Sequence, residues 1–378
     1  MIQGDGTLPP IHIMLKPASG NCNLRCTYCF YSDVKNHRTI ENYGMMSLNT
    51  LKNIVRKVLT HATGECTIAF QGGEPTLVGL DFYRTLVILQ KKHNVKNLVV
   101  RNAIQTNGIC LDDEWCSFFS ENNFLVGLSI DGIKELNDKC RIDTQGNGTY
   151  NRLIKVGSMM NKHKTDFNIL TVISAQVARK IHKVYNQYKK NGWMYLQFIP
   201  CLDPLDEQRG MHRYSLTPSL YTYFLKTLFD LWYEDMVNGK YIYIRYFENL
   251  VGMVMNMPPE SCGMSGVCSR QYIAEADGSI FPCDFYVMDG YKIGNLNTDS
   301  FNDLERNRAT IDFIGQSVKL PSECTVCDWL HLCRGGCRRD REIQGVVGIN
   351  YYCSSYKEFF QYAYKRLQIL AQKASRNN

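Results

Sequence analysis

The sequence predicts an α/β fold: a partial (β/α)6 barrel of the TIM type, then a loop-rich, cysteine-dense carboxyl-terminal domain with a β-hairpin and a terminal helix. Three observations carry this prediction. Six short apolar, β-branched-rich runs recur through the first two hundred residues, most of them followed by a stretch of helical periodicity. After about residue 215 this alternation stops. From Ser261 onward cysteines become dense and regular patterning thins out. A chain of 378 residues can bury one large core and a smaller one, placed here at residues 1–235 and 236–378.

Taken in order, the strand-like runs are Ile11–Leu15, Cys66–Phe70, Leu98–Ile104, Phe124–Ile130, Phe167–Ile173 and Met194–Ile199. Helical spacing appears over Leu48–Leu59, Phe82–Gln90 and Tyr150–Met160. Strands that alternate with helices imply a parallel sheet with right-handed crossovers. The same periodicity is compatible with a doubly wound open sheet. In either architecture function gathers at the carboxyl ends of the strands. Cys22, Gln71-Gly72-Gly73-Glu74-Pro75, Gln105–Gly108, Ser129–Gly132 and Pro200–Asp203 all fall there. Beyond the barrel, Leu220–Val237 reads as a helix ending at Asn238-Gly239, ahead of a tyrosine-rich stretch from Tyr241 to Phe247. Asp277-Gly278 between Ile273 and Phe281 signals a two-residue hairpin, and Tyr356–Ala371 closes the chain as a helix.

Composition narrows the function classes. The net charge of +7 comes from 43 basic and 36 acidic residues spread along the chain, with no concentrated basic stripe for nucleic acid. Arg334 to Arg341 is locally basic but threaded through cysteines. No run approaches the roughly 18 apolar residues of a membrane span. No amino-terminal stretch has the form of a signal peptide. Sixteen cysteines in a chain of this length are not a small secreted disulfide scaffold. They read as metal ligands kept reduced in a cytoplasm with little oxygen.

Cys22-Asn-Leu-Arg-Cys26-Thr-Tyr-Cys29 places three thiols in a C-x3-C-x2-C run directly after the first strand. Three soft thiolates suit an iron–sulfur cluster and leave one iron of a cubane open to a small chelating molecule. A three-cysteine zinc site is the simpler alternative. Eight further cysteines follow, Cys262-x5-Cys268-x14-Cys283 and then Cys324-x2-Cys327-x5-Cys333-x3-Cys337-x15-Cys353. They suffice for two closed four-thiolate sites, whether iron–sulfur or structural zinc. The other five, Cys66, Cys110, Cys116, Cys140 and Cys201, lack ligand spacing and read as core residues. The glycines of Gly72-Gly73-Glu74-Pro75 let backbone approach a ligand, though an ordinary β-to-α turn also uses such a pair.

The three-cysteine run with the following Phe30-Tyr31 and the Gly-Gly-Glu-Pro turn resembles the radical S-adenosylmethionine superfamily. That resemblance implies a partial barrel and an open [4Fe-4S] cluster on Cys22, Cys26 and Cys29, chelated by S-adenosylmethionine. It assigns the methionine ammonium to Gly72 and Gly73, the carboxylate to Ser129 and Arg141, and the adenine to Tyr28 and Leu202. A guanidinium suits the carboxylate, being a permanently charged bidentate donor; alternatively Arg141 is a solvated loop residue. The second array is similar to the SPASM extension. The resemblance there implies one auxiliary [4Fe-4S] cluster on Cys262, Cys268, Cys283 and Cys337, and another on Cys324, Cys327, Cys333 and Cys353, three clusters in all.

Further segments are more specific: Ala69–Leu77, Leu196–Pro204, Phe229–Asp235, Ile244–Phe247, Cys283-Asp284-Phe285-Tyr286 and Asn350–Cys353. With the cysteine array they resemble the anaerobic sulfatase-maturating enzymes over about Leu15 to Leu370. In that family a cysteine or serine in a Cys/Ser-x-Pro-x-Arg segment of an unfolded sulfatase becomes Cα-formylglycine. A 5′-deoxyadenosyl radical removes a Cβ hydrogen, a base takes the thiol or hydroxyl proton, and the surplus electron leaves through the auxiliary clusters. Asp284 matches the position of the base; by itself it reads equally as a solvated acid beside a cluster loop. Tyr31 and Gln71 are further candidates for the substrate site. The implied partners are the sulfatase polypeptide and a low-potential electron donor such as flavodoxin or ferredoxin, with no nucleic acid and no membrane, for a monomeric enzyme. Two rivals remain, a thioether-forming or peptide-cofactor maturase and a non-catalytic iron–sulfur electron carrier. The 21 residues ahead of Cys22 are too few for the peptide-recognition domain common in such maturases.

Overall fold

The structure is a computed structural model that describes residues 10–343 and 346–377. Its strands are β1 (Ile11–Leu15), β2 (Glu65–Phe70), β3 (Val99–Thr106), β4 (Phe124–Ser129), β5 (Phe167–Ile173), β6 (Tyr195–Pro200), β7 (Tyr243–Ile244), β8 (Tyr272–Ala274), β9 (Ser279–Phe281) and β10 (Gly294–Asn295). The six runs read from the sequence are β1 to β6, displaced by no more than two residues at any end. The chain forms two compact units that interleave in sequence. One comprises the chain through Ser129, with Arg141–Phe167 and Arg270–Asp312; the other comprises Ile130–Cys140, Asn168–Ser269 and Phe313 onward. Among the described residues no helix is long and apolar enough to cross a membrane.

In the first unit β1 to β4 run parallel, each paired with the next. Alternation builds β1: Ile11, Ile13 and Leu15 are buried while His12 is exposed. The helix Leu48–His61 starts where the Ser47 side chain accepts from the Thr50 amide. It buries Leu51, Ile54, Val55, Val58 and Leu59, one apolar stripe. Tyr83, Phe70, Trp115, Phe119 and Phe124 form an aromatic core beneath the strands. The helices Leu80–His93 and Tyr150–His163 outrun their apolar stripes because polar residues propagate a helix once it is nucleated.

The hairpin of β8 and β9 extends this sheet on the outer side of β1, with β8 parallel to β1 in the register Leu15↔Ala274. Its loop differs from the two-residue turn expected. Glu275 donates to the Ser279 carbonyl and Gly278 to the Glu275 carbonyl, enclosing three residues with Gly278 at φ 87°. A three-residue loop closed by a left-handed glycine accommodates Asp277-Gly278 equally well. Pro282 has no amide to donate, so β9 ends at Phe281 and Asp284 opens a short 3₁₀ turn, Asp284–Tyr286.

In the second unit β5, β6 and β7 are parallel neighbours. The helix Pro218–Val237 is capped by Thr217. Phe229 and Trp232 on it pack with Phe247 and with Phe359 of the final helix Cys353–Asn377. That final helix begins earlier and runs further than the stretch read from the sequence, starting at Cys353 itself. The carboxyl-terminal region also holds more helix than its patterning suggested. Phe301–Thr310 is announced by the Ser300/Asp303 capping box, a signal the weak apolar periodicity obscured.

Glu248, on the helix Arg245–Val254, sits beside Tyr241. Burial pushes its carboxyl up to about 7 from an ordinary value near 4.5, with the Glu260 charge adding to the rise. A raised carboxyl favours the folded state below pH 4.5, and that contribution is lost as pH climbs through about 7. Glu248→Gln is expected to gain on the parent between pH 5 and pH 8 by on the order of 1–2 kcal/mol, allowing for partial exposure. Melting temperatures across that range measure it, and a constant difference would contradict the assignment.

Candidate active site

The turn after β2 rests on the loop that carries Cys22. Gly73 has φ 52°, and a β-carbon there would lie 2.2 Å from the Asn21 carbonyl oxygen and 2.7 Å from that of Ser19. Only glycine permits that approach. The Glu74 amide donates to the Asn21 carbonyl at 2.8 Å. The Glu74 side chain, fully buried, accepts from the Thr76 amide and hydroxyl, the Thr106 hydroxyl and the Asn107 amide at 2.6–3.0 Å. Burial pushes this carboxyl up while those donors pull it down.

Cys22, Cys26 and Cys29 lie within one another's electrostatic reach, Cys29 exposed and the other two partly so. The Leu24 amide and the Asn107 side chain donate to the Cys22 sulfur. Burial pushes the Cys22 thiol up to about 12. The same loop is stitched to the segment after Cys140, for the Arg25 amide donates to the Ile142 carbonyl and Leu24 bridges Asp143. Those links bring Arg141 to Tyr28, the guanidinium donating to the phenol at 3.1 Å with both residues buried. Ser129, at the end of β4, accepts from Gln105 at 2.9 Å. Leu202 belongs to the second unit and is partly exposed beside the buried Asp203. Asp203 accepts from the Gly210 amide and the Ser215 hydroxyl.

Asp284 lies at the carboxyl ends of β1 and β2. Gln71 donates to its Oδ2 at 3.0 Å, and Lys16 forms an ion pair with its Oδ1. Lys16 is wholly buried and holds its ammonium 4.0 Å from the centre of the Tyr31 ring. The Tyr31 hydroxyl donates to Glu275, which also pairs with Arg38 at 2.6 Å. Burial and the Glu275 charge hold the Tyr31 phenol well above its ordinary range. Phe30 packs edge-on against Phe285 at 5.1 Å. The structure therefore joins Tyr31, Gln71 and Asp284, and it adds Lys16, Arg38 and Glu275, which the sequence reading missed. The available signal was positional: Lys16 and Glu275 each follow the last residue of two strands that prove to be neighbours.

Seven of the eight later spaced cysteines gather in two groups. Cys337, Cys262 and Cys268 lie within one another's electrostatic reach, and a β-carbon on Gly263 would stand 3.7 Å from Cys337 Cβ. Cys283 belongs to the other unit, where it precedes Asp284. Cys324, Cys327, Cys333 and Cys353 influence one another and line a common pocket with Trp329 and Tyr356. A pocket lined by four thiols suits a multi-atom iron–sulfur cluster.

Residues 17–186 match the Radical SAM superfamily and residues 262–328 the SPASM iron–sulfur cluster-binding domain. A cysteine-type anaerobic sulfatase-maturating enzyme of Clostridium perfringens is 47% identical over 362 residues, spanning 95% of this chain and 98% of that protein. The chain belongs to the anaerobic sulfatase-maturating enzymes. It is thus a radical S-adenosylmethionine enzyme whose family uses that cofactor and [4Fe-4S] clusters. A serine-type member from Bacteroides thetaiotaomicron is 31% identical, over 93% of this chain and 89% of that one. The solved structure "Native anSMEcpe with bound AdoMet and Cp18Cys peptide" matches with TM-score 0.93 at 46% identity, covering 97% of this chain and 100% of that one. Such a likeness gives the α/β fold with a parallel sheet core and a carboxyl-terminal SPASM domain that the sequence predicted.

The tight fit at Gly73 yields a stability test. Gly64 has a similar φ, 67°, but open space around its β-position. Gly64→Ala therefore bears only the left-handed strain, about 1–2 kcal/mol. Gly73→Ala adds a backbone clash and is expected to lose a further 1–3 kcal/mol or so, read by denaturant unfolding. Equal losses for the two would show that the turn yields freely.

Proposed function

We propose that this enzyme oxidises a cysteine side chain, in a Cys-x-Pro-x-Arg segment of an unfolded sulfatase, to Cα-formylglycine. What carries the reading is the end-to-end similarity to a cysteine-type relative, joined to a buried carboxylate at the carboxyl ends of β1 and β2. S-adenosylmethionine and three [4Fe-4S] clusters, when bound, would supply a radical for the Cβ hydrogen and a path for one electron.

This chain's residues supply the rest. Cys22, Cys26 and Cys29 would hold the open cluster. The two auxiliary sets would be Cys262, Cys268, Cys283 and Cys337, then Cys324, Cys327, Cys333 and Cys353. Gly72 and Gly73 would offer backbone to the cofactor's ammonium, Ser129 and Arg141 would hold its carboxylate, and Tyr28 and Leu202 its adenine. Tyr28, hydrogen-bonded to Arg141, fixes the direction of that guanidinium. Residues 1–235 thus carry the hydrogen abstraction and 236–378 the electron removal. Asp284 accepts the substrate's thiol proton, oriented by Gln71, with Tyr31 lining the same site. Loss of one hydrogen atom, one proton and one electron turns CH2–SH into a thioaldehyde, and water converts this to the aldehyde with release of sulfide. A low-potential flavodoxin or ferredoxin delivers electrons to a monomeric enzyme in the cytoplasm.

Anaerobically reconstituted protein is expected to hold about twelve irons per chain, and Cys22, Cys26 and Cys29 changed together to Ala about four fewer. Peptides differing only in cysteine or serine report specificity through the aldehyde formed, with cysteine favoured. Asp284→Asn keeps shape but cannot accept the proton, so aldehyde yield falls by roughly 10²–10⁴ while 5′-deoxyadenosine still forms. Unchanged aldehyde from both peptides would remove Asp284 from the chemistry.

A further inference from the structure

Lys16 has no role in the reading above, yet few side chains in the first unit are so constrained. Its side chain is 0% exposed. A buried ammonium is costly unless paired, so its surroundings specify it. The backbone anchors it first, through the Lys16 amide's bond to the Ala274 carbonyl at 2.8 Å. The stem then passes directly beneath the cofactor turn. A β-carbon at Gly72 would lie 2.7 Å from Lys16 Cγ and 2.9 Å from its Nζ, so Gly72 leaves room for this stem. Beyond the turn the ammonium meets the face of Tyr31 and the Asp284 carboxylate. The other nearby cation, Arg38, is engaged with Glu275.

We propose that Lys16 is a positioning residue that holds the Asp284 carboxylate in line with the Gly72–Gly73 turn. Gln71 fixes one carboxylate oxygen by a hydrogen bond and Lys16 fixes the other by charge, so the group cannot rotate. Because the same stem packs against Gly72, the proton acceptor and the turn assigned to the cofactor are registered to each other through one side chain. This rests on the assignment of Asp284 as the base. It predicts that loss of the ammonium uncouples proton removal from radical formation and leaves cofactor binding intact.

The test compares cluster-reconstituted parent, Lys16→Met, Lys16→Gln, Asp284→Asn and the Lys16→Met/Asp284→Asn double variant. Methionine keeps an unbranched stem against Gly72 and removes the charge; glutamine can still donate to Asp284. Lys16→Met is expected to retain iron and bind S-adenosylmethionine normally by equilibrium dialysis. Its formylglycine per 5′-deoxyadenosine should drop by up to about 100-fold, in kcat more than in peptide KM. Lys16→Gln should recover part of that ratio, and the double variant should be no worse than Asp284→Asn. The proposal is overturned by a parent-like ratio in Lys16→Met, by an equal additional fall in the Asp284→Asn background, or by loss of iron or cofactor binding in both Lys16 variants. If Asp284→Asn itself keeps the parent ratio, the base assignment fails and this inference falls with it.

Discussion

The buried Glu74 carboxylate organises the site on which everything else depends. Four donors from three residues converge on it, two from the turn's own Thr76 and two from the end of β3. A carboxylate without water must have such partners. Meeting that need draws the turn after β2 onto the tip of β3 and presses Gly73 against the loop before Cys22. The Asn107 side chain, whose amide serves Glu74, reaches in turn to Cys22 and to Asn23. One desolvated charge thus sets the spacing of the thiol loop, the glycine turn and two strands. Altering it would disturb all of them at once.

Much of this was legible in the sequence because it is local. Strands that bury alternate residues read as short apolar, β-branched runs, and β1 and β5 fall where those runs predict. Three thiols in eight residues announce themselves by spacing alone. The one departure in the hairpin has a local cause too: Gly278 closes a three-residue loop. What spacing cannot reveal is contact between residues far apart in the chain. Lys16, Gln71 and Asp284 meet only because β8 pairs with β1 and β1 with β2. Arg38 and Glu275, 237 positions apart, look like ordinary surface charges until that pairing buries both. An auxiliary thiol's partners are equally non-local, and resemblance, not spacing, supplied their grouping.

The loops bearing the later cysteines face a different problem, because little regular structure is available to satisfy their backbone. Arginine does this instead. Arg341, 1% exposed, donates to the carbonyls of Lys319, Gly266 and Ser317. Arg338 reaches the Phe313 carbonyl and Glu342, and Ser317 accepts from the Cys268 amide. A guanidinium has five donors in a rigid fork, so one side chain can bind several strands of loop that no sheet organises. The basic run between Arg334 and Arg341 is therefore largely internal scaffolding.

Those guanidinium-to-carbonyl ties owe nothing to iron. They join Gly266 and Ser317 across fifty residues by bonds that oxygen cannot attack and chelators cannot remove. Metal-coupled folding makes many small cysteine modules collapse when stripped. Here the polypeptide carries a buttress of its own between these loops, so replacing Arg341 would loosen them whatever the cysteines hold.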